Sequence, residues 1–180
     1  MRGFTLIELI VALAVLGSFL GLGIPAMHNL IERHHSQTAY FSLRRTLQQA
    51  RIQAQDQLTD ITVCPMKDST CLADWSFPIH VFTDLNFNQT LDEDETLLFI
   101  AHIDTRFGYW QKTKAKQNYV RFNPLGHAFS SASTFLYCPY SDHDNLAKSI
   151  VISFQGRIRT GQYLRSRGTP YAQFSNMNCN

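Results

Sequence analysis

Apolar residues follow two different rules along this chain. From Leu9 to Met27 they are nearly continuous, nineteen residues without a charge. At 1.5 Å rise per residue such a helix is about 28 Å long, close to the hydrocarbon thickness of a bilayer. After Pro25 the pattern becomes periodic. Leu30, Ile31, Tyr40, Leu43, Leu47, Ala50, Ala54 and Leu58 recur mostly three or four apart, and Arg44, Arg45, Gln48, Gln49 and Arg51 fill the other face. That spacing predicts an amphipathic helix with one face for a core. The expectation is one continuous helix over 5–58.

From Ile61 the period shifts to two. Candidate strands are 61–65, 77–83, 96–103, 119–123, 133–138, 149–154 and 157–163. Phe77, Ile79 and Val81 alternate with other positions, as do Ile150, Ile152 and Phe154. Turn signals lie between them at Asn86 and Asn88, Asn123-Pro124, Leu125-Gly126 and Gln155-Gly156. Short strands with such connections predict an antiparallel sheet or sandwich, so the class is α+β. No helical period follows residue 60, and no internal repeat occurs.

The N-terminal segment fits neither of two ordinary readings. A signal peptide has a basic start, an apolar core of about 7–15 residues and a small-residue cleavage site. Here Arg2 is the only basic residue, the apolar run is longer, and Glu8 stands at its edge. A plain membrane anchor leaves Glu8 without a partner, and a lone carboxylate at a membrane boundary is costly. Gly3-Phe4-Thr5-Leu6-Ile7-Glu8 before a long apolar helix resembles the start of a type IV prepilin or pseudopilin. The resemblance implies cleavage after Gly3 by an inner-membrane prepilin peptidase and methylation of Phe4. It also implies that Glu8 neutralises the Phe4 amine of a neighbouring subunit, since a buried lone charge costs several kcal/mol. Gly17, Gly21, Gly23 and Pro25 weaken the same helix, and pilin subunits partly unwind such a stretch when they pack. The implied layout is a leader at 1–3, a transmembrane or filament helix at 4–27, an amphipathic half at 28–58 and an antiparallel β domain at 59–180. The implied location is the bacterial inner membrane, single-pass, with the globular domain in the periplasm until the subunit enters a pilus.

Composition alone excludes little beyond disorder and collagen: 44% of the 180 residues are hydrophobic and 17% charged, with 9 Gly and 6 Pro. The distribution of charge is more informative than the net +2. Residues 1–105 hold 6 Lys/Arg against 12 Asp/Glu, and residues 106–180 hold 10 against 2. The last acidic residue is Asp144, so the C-terminal end can attract a polyanion.

Cys64, Cys71, Cys138 and Cys179 suggest two disulfides in an oxidising compartment. Three connectivities are open. Cys64–Cys71 closes a short loop and Cys138–Cys179 pins the chain end, and this pairing is favoured. A zinc site from Cys64, Cys71, Cys138 and His143 is the rival, but it lacks a C-x₂₋₄-C knuckle. Asp84, Asn86, Asn88, Asp92 and Glu95 occupy the oxygen positions of a calcium loop, yet Gln89 stands where such a loop needs Gly. The simpler reading is a polar turn, and no metal or cofactor is expected. No catalytic motif occurs: the seven His are scattered, and no nucleophile elbow, phosphate loop or H-E-x-x-H is present.

The C-terminal third carries the functional signal. Ser149 to Thr160 reads as strand, tight turn, strand, with Gly156 at the turn. Arg157 and Arg159 are two apart, so in a strand they share a face at about 6.6 Å, similar to successive phosphates on a nucleic-acid strand. Lys148, Arg165 and Arg167 add cations, and Arg suits phosphate through its planar fork. Tyr163, Tyr171 and Phe174 either stack on bases or fill the core. Lys112, Lys114 and Lys116 read as a solvated loop. Solubility and protection of a strand edge explain arginines equally well on charge alone. Val63-Cys64, Trp75, Val81-Phe82-x-Asp84, Phe122-Asn123-Pro124-x-Gly126, Thr134-Phe-Leu-x-Cys138 and Gly156-Arg157-Ile158-Arg159 resemble the FimT/GspH family of minor pilins and pseudopilins. That resemblance implies a type IV pilin-like fold, a long N-terminal helix packed on antiparallel sheets. The G-R-x-R close resembles the FimT branch, minor pilins of natural transformation that bind DNA. It implies non-specific DNA binding through Arg157, Arg159, Lys148, Arg165 and Arg167, with Gln155 and Gly156 forming the turn. The other partners implied are neighbouring pilins, the peptidase and the inner membrane. The alternatives are a secretion pseudopilin of the GspH branch and a pilus-assembly initiator without DNA affinity.

Overall fold

The computed structural model describes residues 5–112, 117–128, 132–141, 146–161 and 179, with residues 19–26 described by backbone alone. Its elements are α1 (Leu6–Asp56), β1 (Ile61–Lys67), β2 (Thr70–Cys71), β3 (Ile79–Thr83), β4 (Leu97–Ala101), β5 (Gly108–Lys112), β6 (Val120–Phe122), β7 (Ser133–Pro139), β8 (Lys148–Ile152) and β9 (Ile158–Gly161). Residues 1–34 and 35–180 form two compact units.

In the first unit, Thr5 and Glu8 start the helix. The Thr5 amide and hydroxyl both donate to Glu8 Oε2 at 3.0 Å, and the Glu8 amide donates to Thr5 Oγ1 at 3.4 Å. This is a capping box, in which two orphan amides of the first turn satisfy each other's side chains. Leu6, Ile7, Leu9, Ile10, Val11, Leu13, Val15 and Leu16 are all exposed. Among the described residues no helix carries an apolar run long enough to cross a membrane. Residues 19–26, in the C-terminal part of the expected span, have side chains outside the described set.

In the second unit, α1 buries Ala39, Tyr40, Leu43, Leu47, Ala50 and Ala54. Each fully buried Leu contributes roughly 1.5–3 kcal/mol. These positions meet the inner faces of two antiparallel sheets. The first has the order β2-β1-β3-β4, with β6 also paired to β1; the second has the order β5-β7-β8-β9. Ile61, Val63, Ile79, Val81, Val120 and Phe122 come from the first sheet, and Trp110, Phe135, Tyr137, Ile150 and Ile152 from the second. One core therefore joins helix and both sheets, and the expected α+β pilin-like architecture is the observed one.

Helix α1 stops two residues before the expected end. Leu58 adopts φ +53°, and the Thr59 amide reaches back to the Ala54 carbonyl at 3.3 Å. That left-handed cap satisfies an end carbonyl and leaves Leu58 75% exposed instead of on the core face. Phe77 lies outside β3 and is exposed. Strand β5 is not among the expected strands, and only its last residue, Lys112, belongs to the run read as a solvated loop. Gly108 opens β5 because a Cβ there would stand 2.4 Å from the Cys138 carbonyl oxygen and 2.6 Å from the Tyr137 ring. Glycine inside a strand marks such a close approach.

The four cysteines form two disulfides, Cys64–Cys71 and Cys138–Cys179. No thiol among Cys64, Cys71 and Cys138 is thus available for the alternative zinc site, whose His143 lies outside the described residues. The Cys64–Cys71 bond anchors a polar loop that folds over the outer face of the first sheet. There Leu91 packs on the Cys64, Met66 and Phe82 cluster, and Thr70 bridges Thr90.

Candidate nucleic-acid interface

The candidate arginines sit on a hairpin whose turn is built to one plan. The Gly156 amide donates to the Ser153 carbonyl at 2.9 Å, and the Ser153 amide donates to the Arg157 carbonyl at 3.1 Å. Gly156 has φ +70°, a conformation that Cβ-bearing residues enter only at a cost. The result is a three-residue hairpin loop with a glycine bulge, which places Phe154 and Gln155 at the tip. The segment 123–127 repeats the plan. Gly126 donates to the Asn123 carbonyl at 2.7 Å, Asn123 donates to the His127 carbonyl at 3.0 Å, and Gly126 has φ +71°. Asn123 Oδ1 also accepts from the Leu125 and His127 amides at 3.1 and 2.8 Å.

The two turns touch. The Ala128 amide donates to the Phe154 carbonyl at 2.9 Å. Arg51 of α1 closes the joint, with Nε donating to the Gly126 carbonyl at 2.9 Å and Nη2 reaching the Gln155 carbonyl at 3.5 Å. Gln55, one helical turn further, reaches the Leu125 carbonyl at 3.5 Å.

Beyond the joint, Arg157 and Arg159 are exposed while Ile158 between them packs toward the core. Arg159 pairs in register with Val151, and Ile158 with Ile152. Ile150 and Ile152 are buried in the common core, so Arg159 occupies the opposite, outer face of the sheet. Among the described residues neither guanidinium forms an ion pair. Lys148 is not brought beside them. It begins β8, at the end away from the turn, and its register partner is Tyr137, on the core side of the alternation. Lys112 is half-buried and donates to the Gln117 carbonyl at 2.8 Å. Arg165, Arg167, Tyr163, Tyr171 and Phe174 lie outside the described residues, as do Lys114, Lys116, Gly3 and Phe4.

Two other polar clusters have structural explanations. In the 84–95 loop, Asp84 is fully buried and accepts from the Thr62 hydroxyl at 2.7 Å. Asn86 and Asn88 both donate to Asp92 Oδ2 at 2.8 Å, and Glu95 accepts from the Leu85 and Asp92 amides. The oxygens thus hold the turn itself, and among the described residues no group of three or more His, Cys, Asp or Glu is arranged to hold a metal. At the other cluster, Asp104 accepts from the Arg106 amide at 3.0 Å, from its Nε at 3.0 Å and from its Nη2 at 2.7 Å, and meets His35 Nδ1 at 2.8 Å. The Arg106 side chain holds the Asp104 carboxyl below the usual carboxylate range, against the opposing effect of partial burial. His35 also stacks on Phe107 with centroids 4.4 Å apart.

Residues 42–156 match the family model described as the type II transport protein GspH. The chain belongs to the GspH family. Residues 1–24 match the prokaryotic N-terminal methylation motif, so this GspH-family protein is a type IV minor pilin or pseudopilin. Its fold is similar to two crystal structures of the type IV minor pilin FimU of Pseudomonas aeruginosa. One is 22% identical with a TM-score of 0.59, covering 74% of this chain and 92% of FimU. The other is 23% identical with a TM-score of 0.56, covering 70% and 92%. No curated protein sequence matches the chain. The GspH-family match ends at Gly156, so the arginine pair lies outside the matched residues.

Proposed function

We propose that this GspH-family protein is a minor pilin of the FimT kind, a non-enzymatic filament subunit that captures DNA for uptake. The leader is cut after Gly3, Phe4 is methylated, and Glu8 serves entry into the pilus from the inner membrane. DNA is held through its phosphates by Arg157 and Arg159, and Arg165 and Arg167 add to the field. The observation that carries this reading is the exposed arginine pair, Arg157 closing the turn and Arg159 two residues on in β9, beside a turn fixed to the helix. Base readout is not expected, because among the described residues of the β domain no helix is offered to a major groove. Binding per subunit is then weak, micromolar or weaker, and several copies along a filament raise it by avidity.

The test is DNA binding by the full-length protein in detergent micelles across a salt series. At about −0.9 in log K against log salt per phosphate contact, Arg157→Gln with Arg159→Gln should make the slope shallower by about 1.8. An unchanged affinity and slope would sink the DNA reading. A secretion pseudopilin is the second reading, favoured by the exposed Leu97 and Ile100 on edge strand β4, which suit a protein partner.

A further inference from the structure

We propose that Arg51 is a positioning residue for the Arg157/Arg159 site, clamping the arginine-bearing turn to the helix without touching DNA itself. The inference rests on the DNA reading above. The sequence places Arg51 on the polar side of an amphipathic helix, where a charge ordinarily faces solvent. In the structure it is half-buried and bonded to carbonyls on two separate turns, 75 and 104 residues further along the chain. A planar guanidinium with several fixed donors suits two carbonyls lying side by side, and a lysine point charge does not.

The joint has no slack on its other sides. A Cβ on Gly126 would meet Gln55 Nε2 at 2.9 Å and Arg51 Nε at 3.0 Å, and one on Gly156 would meet Arg51 Nε at 3.2 Å. The 153–157 turn is therefore gripped between the 123–127 turn and α1, and Arg157 leaves directly from it. The same flank of α1 holds the far end of β9. Tyr40 and Thr160 share a hydrogen bond between their hydroxyls at 2.7 Å, and Arg44 reaches the Tyr40 hydroxyl at 3.4 Å. With both ends of the strand tied to one rigid helix, Arg157 and Arg159 keep a fixed spacing. A ligand with regularly spaced phosphates gains from that, because less side-chain and loop freedom is lost on binding.

The experiment uses the full-length protein in detergent micelles, with a duplex DNA of arbitrary sequence as probe. Arg51→Gln should weaken binding several-fold at fixed salt while leaving the salt slope at the parent value. Amide exchange at Gly156 and Arg157 should speed up, and exchange at Ile150 and Phe135 should stay slow, reporting an intact core. Arg51→Lys should restore binding only in part. Gly156→Ala loosens the same joint without changing a charge, and should give the same loss at the same slope. A slope shallower by about 0.9 in Arg51→Gln would make Arg51 a phosphate ligand and overturn the positioning role. Unchanged affinity for Arg51→Gln, beside a double Arg157/Arg159 variant that loses binding, would also overturn it. A double variant that keeps its affinity would overturn the DNA reading and this inference with it.

Discussion

A Cβ placed on Gly156 would stand 1.9 Å from the carbonyl oxygen of Gly126. No side chain fits there, and the φ of +70° penalises one independently. Gly156→Ala must therefore both strain its own backbone and push two turns apart. Strain of this kind costs of order 1–3 kcal/mol. For a chain of this size that lowers the melting temperature by several degrees, at about 2–4 °C per kcal/mol. Thermal unfolding should show this loss, whereas Gly17→Ala, with nothing near its Cβ position, should show none.

Lys148 and Arg159 carry the same charge on neighbouring strands, but the alternation of β8 and β9 separates them. Lys148 shares the parity of Ile150 and Ile152, and Arg159 that of Val151. If phosphates are held on the outer face, Lys148→Gln should change the salt slope by less than Arg159→Gln, for which a change of about 0.9 is expected. Equal changes would place the bound DNA across the sheet edge.

The long-period features were legible from residues alone. Leu43, Leu47, Ala50 and Ala54 read as a core face and are buried, although Leu30 and Ile31 of the same pattern are exposed; of the alternating Ile150, Ile152 and Phe154, the two isoleucines are buried and Phe154, at the turn, is exposed. What failed depends on contacts distant in sequence. Strand β5 is absent from the expected strands, because its opening glycine is explained only by Tyr137 and Cys138 across the sheet. Gly126 and Gly156 each announce a turn, yet nothing local says that the turns lock together. Arg51 read as a solvent-facing charge, since its carbonyl partners lie on turns far along the chain. Lys148 was grouped with Arg159 by charge, although strand parity was available to separate them. The Thr5-x-x-Glu8 spacing of a capping box was likewise present in the sequence, beneath the pilin-like reading of Glu8.

The two disulfides close loops of different length, with sequence separations of 7 and 41. In the chain-entropy account a crosslink over about 7 residues is worth roughly 2.4 kcal/mol and one over about 41 residues roughly 3.9 kcal/mol. Replacing Cys138 and Cys179 by Ser should therefore lower unfolding stability more than replacing Cys64 and Cys71. Urea titration of the two double variants ranks them, and the reverse order would point to native-state packing around Cys64 as the larger effect.

Glu8 has two roles that separate by substitution. Its carboxylate caps α1 through Thr5, and the proposed assembly role needs its charge against the Phe4 amine of another subunit. Glu8→Gln keeps a capping acceptor and removes the charge; Glu8→Val removes both. Both variants should be cut after Gly3, and both should be poorly incorporated into pili. N-terminal sequencing and sheared-pilus fractions read the two steps. Normal incorporation of Glu8→Gln would assign Glu8 to capping alone.

Asp104 gives the domain an acid-sensitive contact. The Arg106 side chain keeps its folded carboxyl below the ordinary range, and the two groups bond at 2.7–3.0 Å. The folded state therefore keeps this group charged at pH values where the unfolded chain, with an Asp value near about 3.9, has already bound a proton. The stabilisation is fully present above that unfolded value and is lost as the pH falls toward the folded one. Asp60 works in the opposite sense: burial raises its value, so it carries a penalty above the folded value that acid relieves. Asp104→Asn should thus be less stable than the parent at neutral pH, and should lose less of its stability between pH 5 and 2, as read by urea denaturation. If parent and variant fell in parallel over that range, the Asp104–Arg106 pair would contribute nothing to folding, and the His35–Phe107 stacking would be left to hold that part of the helix.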